Sequence, residues 1–276
     1  GLFNFSRILS MKSQVSWLQR PDGSKIAWRM RGNPKAAPII FSNSLGSDAS
    51  MWDQVADALA EDFRLIFYDT RGHGLSEAAS PRATLSDLCD DLLAVLDAAA
   101  YPRAHVVGLS LGGMTGLYAA LNATDRIDRL MACNCRARVD DAGMKAWDDR
   151  IAALREGGVK SLVKPTLDRW FTPAFQQANP LVMESVASMV ARSSDQGYEA
   201  CVRAIQTLAL HEDLQRLKVP VLYLAGAQDL AAPPEEMKAM AQRTPHAQFE
   251  VLDPCGHIAS IERAHDFIRI ARAFLQ

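Results

Sequence analysis

The sequence predicts an α/β fold: a mostly parallel central sheet with helices on both faces and a helical cap inserted late in the chain. Three observations predict it. Short apolar runs alternate with amphipathic helical runs, the pattern that crossover connections need to build a parallel sheet. The alternation stops over residues 140–213, where every segment is helical in character, and then resumes. One apolar run, residues 104–109, leads straight into Gly108-Leu109-Ser110-Leu111-Gly112 and then a helix-forming run, 115–121. A sharp strand-to-helix turn of this kind holds a serine hydroxyl out at the end of a sheet, with small residues leaving room on either side.

In chain order, residues 15–20 and 25–31 are strand-like and Pro21-Asp22-Gly23-Ser24 between them is a turn, so they predict a hairpin. Pro38-Ile39-Ile40-Phe41 predicts a buried strand that ends in Ser42-Asn43-Ser44-Leu45-Gly46. Trp52, Val55, Ala56 and Leu59 have helical spacing over 52–61. Residues 64–68 predict a second buried strand, closed by Asp69-Thr70-Arg71-Gly72-His73-Gly74. Thr84 opens a helix to about residue 99, with Asp87 placed to complete a capping box. Strand 127–133 follows the serine turn. Within the insertion the expected helices are 144–155, 159–170, 181–191 and 198–208, with Pro165, Pro173 and Pro180 as breaks. Strand character returns at 219–225 and 248–252, and a helix over 261–275 closes the chain. The domain reading is therefore a core of 11–139 and 214–276 with a cap of 140–213; Met11 reads as a native start, leaving 1–10 as an upstream segment.

Composition excludes several classes of function. A net charge of −2 over 276 residues carries no basic bias toward nucleic acid or an anionic membrane. No run is long and apolar enough to span a bilayer, and residues 1–10 lack the apolar core of a signal peptide. Five cysteines, an odd number at irregular spacing, argue against a disulfide framework, and Cys133-x-Cys135 has no second pair to complete a zinc site. Reduced thiols place the protein in the cytoplasm.

Three strand-end loops carry the candidate chemistry: Ser110 as nucleophile, Asp229 after strand 219–225, and His257 after strand 248–252. A serine hydroxyl is a weak nucleophile until an imidazole takes its proton, and the imidazole needs a carboxylate to fix its tautomer. An isolated Asp in such a loop is more often a turn residue and an isolated His a surface or core residue. The other strand end that could hold the acid offers Asn134. His73 reads as a loop brace. The oxyanion would rest on the backbone N–H groups of Leu111 and Leu45.

These residues resemble the α/β-hydrolases across nearly the whole chain after the hairpin. Within them, SNSLG at 42–46, Met51-Trp52-Asp53, YDTRGHG at 68–74, GLSLGG at 108–113 and the insertion segment RWFTPAF at 169–175 resemble the 3-oxoadipate enol-lactonases of aromatic catabolism. The RGHG and GxSxG segments are shared widely; the SNSLG loop and the insertion segment are more specific. The resemblance implies hydrolytic opening of a small enol-lactone bearing a carboxylate, without metal or organic cofactor. Asn134, Arg138 and Arg169 are candidates to hold that carboxylate, with Trp147 and Trp170 as apolar walls. The alternatives are another carboxylic-ester, homoserine-lactone or C–C bond hydrolase on the same scaffold, and a ligand receptor that keeps the fold but signals by movement of the insertion.

Overall fold

The computed structural model describes residues 14–276, so the reading of 1–10 lies outside the described residues. Eight strands form one sheet in the order β1-β2-β4-β3-β5-β6-β7-β8. β1 (Ser16–Gln19) and β2 (Lys25–Gly32) are the expected hairpin. Gly23, at φ 95°, supplies the left-handed residue of its turn. β2 joins β4 antiparallel, and all later pairings, from β3–β4 to β7–β8, are parallel. β3 (Pro38–Ser42), β4 (Arg64–Tyr68), β5 (Ala104–Leu109), β6 (Ile127–Cys133) and β7 (Val221–Gly226) are almost wholly buried, which is why they read as continuous apolar runs. β8 (Gln248–Leu252) is the exposed edge and alternates polar with apolar residues.

Helices cover both faces because the chain reverses direction across the sheet. The crossover from β3 to β4, through α1 (Asp53–Leu59), runs one way; the crossover from β4 to β5, through α2 (Leu85–Ala98), runs the other. With right-handed crossovers, opposite directions put the two helices on opposite faces. The Thr84–Asp87 capping box forms, with Asp87 N–H donating to Thr84 Oγ1 at 3.1 Å and Thr84 N–H to Asp87 Oδ2 at 2.8 Å. α3 begins at Leu111 (Leu111–Asn122), earlier than the helix-forming run 115–121, because the serine turn feeds it directly. The reversal leaves a crevice at the carboxyl ends of β3 and β5, where open α/β sheets bind ligands.

The insertion between β6 and β7 holds α4 (Asp141–Trp170), α5 (Pro173–Ala178), α6 (Pro180–Ala191) and α7 (Asp195–Gln206). α4 is broken at Gly158, φ 74°, between the two helices expected there, and Asp195 Oδ1 caps the second half by accepting from Val159 N–H at 2.9 Å. Pro165 is not a break, a correction to its reading: it sits inside the second half, forfeiting one helix bond. Pro173 and Pro180 act instead as helix starts, where a missing N–H costs nothing. The short α5 was not legible in the periodicity. After β7 come α8 (Pro234–Arg243), then α9 (Ala259–Glu262) and α10 (Ala264–Leu275), which divide the closing helix at Arg263. Among the described residues no helix is long and apolar enough to cross a membrane.

Candidate active site

Ser110 lies between β5 and α3 with φ 57° and ψ −115°, a strained conformation rare for a residue with a side chain. Two bonds hold it: its N–H donates to the Cys133 carbonyl at 2.8 Å and its carbonyl accepts from Met114 N–H at 3.0 Å. The flanking glycines are sterically required. A Cβ on Gly112 would lie 1.9 Å from the Ser42 carbonyl oxygen, and one on Gly108 would lie 2.1 Å from the Gly112 carbonyl oxygen.

Asp229 follows β7. Its Oδ1 accepts from the N–H groups of Ala231 at 2.9 Å and Ala232 at 3.0 Å, and its Oδ2 meets His257 Nδ1 at 2.8 Å. The backbone bonds fix the carboxylate plane, and the remaining oxygen aims at the ring. Asn134 adds a donor, with Nδ2 3.2 Å from Asp229 Oδ2 and 3.3 Å from the Gly256 carbonyl. His257 and Ser110 line one cavity of about 510 Å³, enclosed between the sheet's carboxyl edge and the insertion. That volume suits a small molecule.

The loop after β3 is built as a rigid shelf. Asn43 ties it to β4 and to the turn that leads into α1, donating to the Tyr68 carbonyl at 2.9 Å and accepting from Trp52 Nε1 at 2.7 Å. His73 braces the same loop, as expected: Gly46 N–H donates to its Nε2 at 3.0 Å, so the ring proton sits on Nδ1, which donates to the Arg71 carbonyl at 3.0 Å. Burial pushes the His73 pKa down and keeps the ring neutral. Leu45 and Ser44 border the cavity beside Ser110. Leu111 is the first residue of α3, so its N–H has no partner within the helix.

The histidine loop is held from the insertion. His257 N–H donates to the Trp170 carbonyl, at the last residue of α4, at 2.8 Å. Glu262 joins the two segments, accepting from Thr172 Oγ1 at 2.6 Å and from Gly256 N–H at 3.2 Å. The core touches the insertion again at Gly72, whose carbonyl accepts from Ser194 N–H at 2.9 Å.

The substrate-binding candidates separate. Arg138, Trp147, Arg169, Trp170 and Asn134 all border the cavity. Arg138, however, forms an ion pair with Glu236 at 3.0 Å, and the Asn134 amide nitrogen is committed to Asp229 and Gly256. Both therefore reach the cavity with donors already engaged by neighbours absent from their local sequence, which weighs against either as the carboxylate holder. Sequence reasoning missed Arg150, which borders the cavity three residues after Trp147, with its guanidinium 4.4 Å from the Trp147 ring centroid. The i, i+3 spacing was the signal that could have found it. The buried thiols of Cys135 and Cys255 are pushed far above the ordinary range by burial, so neither competes as a nucleophile.

A serine on a strained strand-to-helix turn, facing a cavity with an Asp–His pair on the following loops, is the arrangement of the alpha/beta hydrolase fold. Residues 37–264 match that family, and the chain belongs to it. It is 32% identical over 245 residues to 3-oxoadipate enol-lactonase 2 of Acinetobacter baylyi, covering 89% of this chain and 91% of the relative. The crystal structure of the enol-lactonase from Burkholderia xenovorans LB400 superposes with a TM-score of 0.89 at 35% identity, over 94% of this chain and 99% of that one. A Caulobacter sp. (strain K31) protein provisionally named as the carbamate hydrolase RutD is 31% identical over 222 residues, 79% of this chain and 83% of the relative. The expected resemblance to the enol-lactonases is thus borne out.

Proposed function

We propose that the protein is a cytoplasmic serine hydrolase that opens a small carboxylate-bearing enol-lactone, of the 3-oxoadipate enol-lactone kind, through an acyl-enzyme. The observation that carries the reading is the 2.8 Å Asp229–His257 contact on the cavity that Ser110 also lines; the similarity to enol-lactonases supports the substrate class.

In this mechanism His257 takes the Ser110 hydroxyl proton as the oxygen attacks the lactone carbonyl. The oxyanion rests on the N–H groups of Leu111 and Leu45, a contribution worth roughly 10²–10³ in rate per donor. Collapse expels the ring oxygen as an enolate, which takes up the proton held on the His257 imidazolium and becomes the ketone, so that the ring is neutral again. The leaving group stays tethered, because ring and acyl group are one molecule. His257 then deprotonates a water that attacks the Ser110 ester and releases the oxo-acid. Asp229 holds the ring in orientation and stabilises the imidazolium.

The relative named for carbamate hydrolysis favours a second reading, attack by the same serine on a carbamate carbonyl. One assay separates the two. Turnover of 3-oxoadipate enol-lactone at kcat/KM of about 10⁴–10⁸ M⁻¹s⁻¹, with weak turnover of a neutral aryl ester and of a carbamate, is expected. An inert lactone beside a good ester or carbamate substrate would move the protein to another branch of the family.

A further inference from the structure

We infer that Arg150 and Arg169, set beside Trp147 on the α4 wall of the cavity, form an anion subsite that takes the carboxylate of the substrate. The inference deepens the proposed function, resting on the same cavity being the reaction site.

Both arginines border the cavity that Ser110 and His257 line. Neither forms an ion pair among the described residues. Arg169 is half-buried and donates to a neutral oxygen, Thr166 Oγ1, at 3.3 Å. The Arg150 guanidinium carbon lies over the Trp147 ring, 4.4 Å from its centroid, a contact that holds the cation without neutralising it. The acidic side chains nearest in sequence are committed elsewhere: Asp148 to Arg203 at 3.1 Å, Asp149 to Lys145 at 3.0 Å and Asp168 to Lys164 at 3.4 Å. Asp140, on the cavity edge, caps Gly143 N–H at 2.7 Å.

Arg150 and Arg169 border the cavity without ion-pair partners of their own among the described residues, and their like charges repel one another. Burial and then the Arg150 charge push the Arg169 pKa below its ordinary value. An entering anion removes that cost and gains donors already desolvated and oriented. Guanidinium forks match a carboxylate in two-point geometry. The arrangement therefore selects a substrate with a reactive carbonyl at Ser110 and a carboxylate at the α4 wall. Ring opening creates a second carboxylate at the Ser110 end, so the product is a dianion.

The test compares wild type with Arg150→Gln, Arg169→Gln and Arg169→Lys on two esters of similar length, mono-4-nitrophenyl adipate and neutral 4-nitrophenyl hexanoate. In wild type the acidic ester is preferred. Each Gln variant should lower the preference ratio in kcat/KM by roughly 10- to 100-fold, the range of one lost charge-assisted hydrogen bond, mainly through KM. Arg169→Lys should restore part of it. Equal losses on both esters would mean a packing role and overturn the subsite, as would an unchanged ratio. Adipate binding, measured by calorimetry on Ser110→Ala, separates this inference from the reaction itself. Binding that disappears on adding Arg169→Gln supports the subsite even if the serine proves dispensable for hydrolysis. Adipate that does not bind, or binds equally to both proteins, overturns it.

Discussion

The serine turn and the histidine loop sit on the same cavity but are held in opposite ways. Ser110 is positioned mainly by its immediate neighbours, the strained backbone, Gly108 and Gly112 with no room for a Cβ, and α3 starting at the next residue, with one distant bond from its N–H to the Cys133 carbonyl. His257 is positioned by residues far along the chain. Asp229 holds its ring, the Trp170 carbonyl holds its N–H, and Glu262 clamps the loop to Thr172 beyond α4. On the proposed mechanism the insertion helps to place a reacting group, and activity should be more sensitive to remote changes at the histidine than at the serine.

The largest expected effects come from deleting reacting groups. Ser110→Ala should lower kcat by roughly 10⁶, and Asp229→Asn by roughly 10⁴, the scale seen for such groups in serine hydrolases. Circular dichroism and melting should show both variants folded. Turnover near wild type in Ser110→Ala would remove the nucleophile, and a silent Asp229→Asn would move the acid elsewhere.

Next is Asn134→Ala, which removes a donor from the Asp229 oxygen that meets the ring. A hydrogen bond to a charged group is worth about 1.5–3 kcal/mol, so kcat should fall roughly 10- to 100-fold with KM little changed. A loss confined to KM would return Asn134 to substrate binding.

Glu262→Ala sharpens the contrast directly, since Glu262 touches neither Ser110 nor His257 side chains. Losing the bonds to Thr172 and Gly256 should cost about 1 kcal/mol each, lower the melting temperature by a few degrees, and reduce kcat several-fold by loosening the histidine loop. A melting shift with unchanged kcat would show that the clamp serves stability alone.

The smallest effect concerns pH and the shelf. His73 is neutral in the native state, with its pKa pushed down by burial, whereas the unfolded chain takes up that proton near 6.5. Below about pH 6.5 the unfolded state binds more protons, so this histidine's contribution makes stability fall as pH drops toward its native pKa. His73→Gln lacks that contribution. Wild type should therefore lose more melting temperature than the variant between about pH 7 and pH 5; equal losses would mean that His73 is not held neutral.

Legibility followed the same division. The Ser110 turn could be read because its constraint is local: a pentapeptide whose small residues make a strained turn possible, with an apolar run before it and a helical run after. Asp229 and His257 could be placed by their strand-end positions, though not their mutual distance. Arg138 and Arg169 look alike in sequence and both border the cavity; only the fold pairs the first with Glu236 and leaves the second without an ion pair among the described residues. Arg150 was invisible as a site residue until α4 turned it, with Trp147, toward that space.

Sequence alone determined the alternating layers, the helical character of the insertion, the capped start of α2 and the serine turn. Each depends on periodicity or sterics within a dozen residues, where chain connectivity already fixes who is near whom. Tertiary structure decided which carboxylate meets which cation, that Asn134 serves Asp229, and that the Trp170 carbonyl anchors His257. Those contacts join segments from separate elements, and a polar side chain's role depends on which of several partners folding brings within reach.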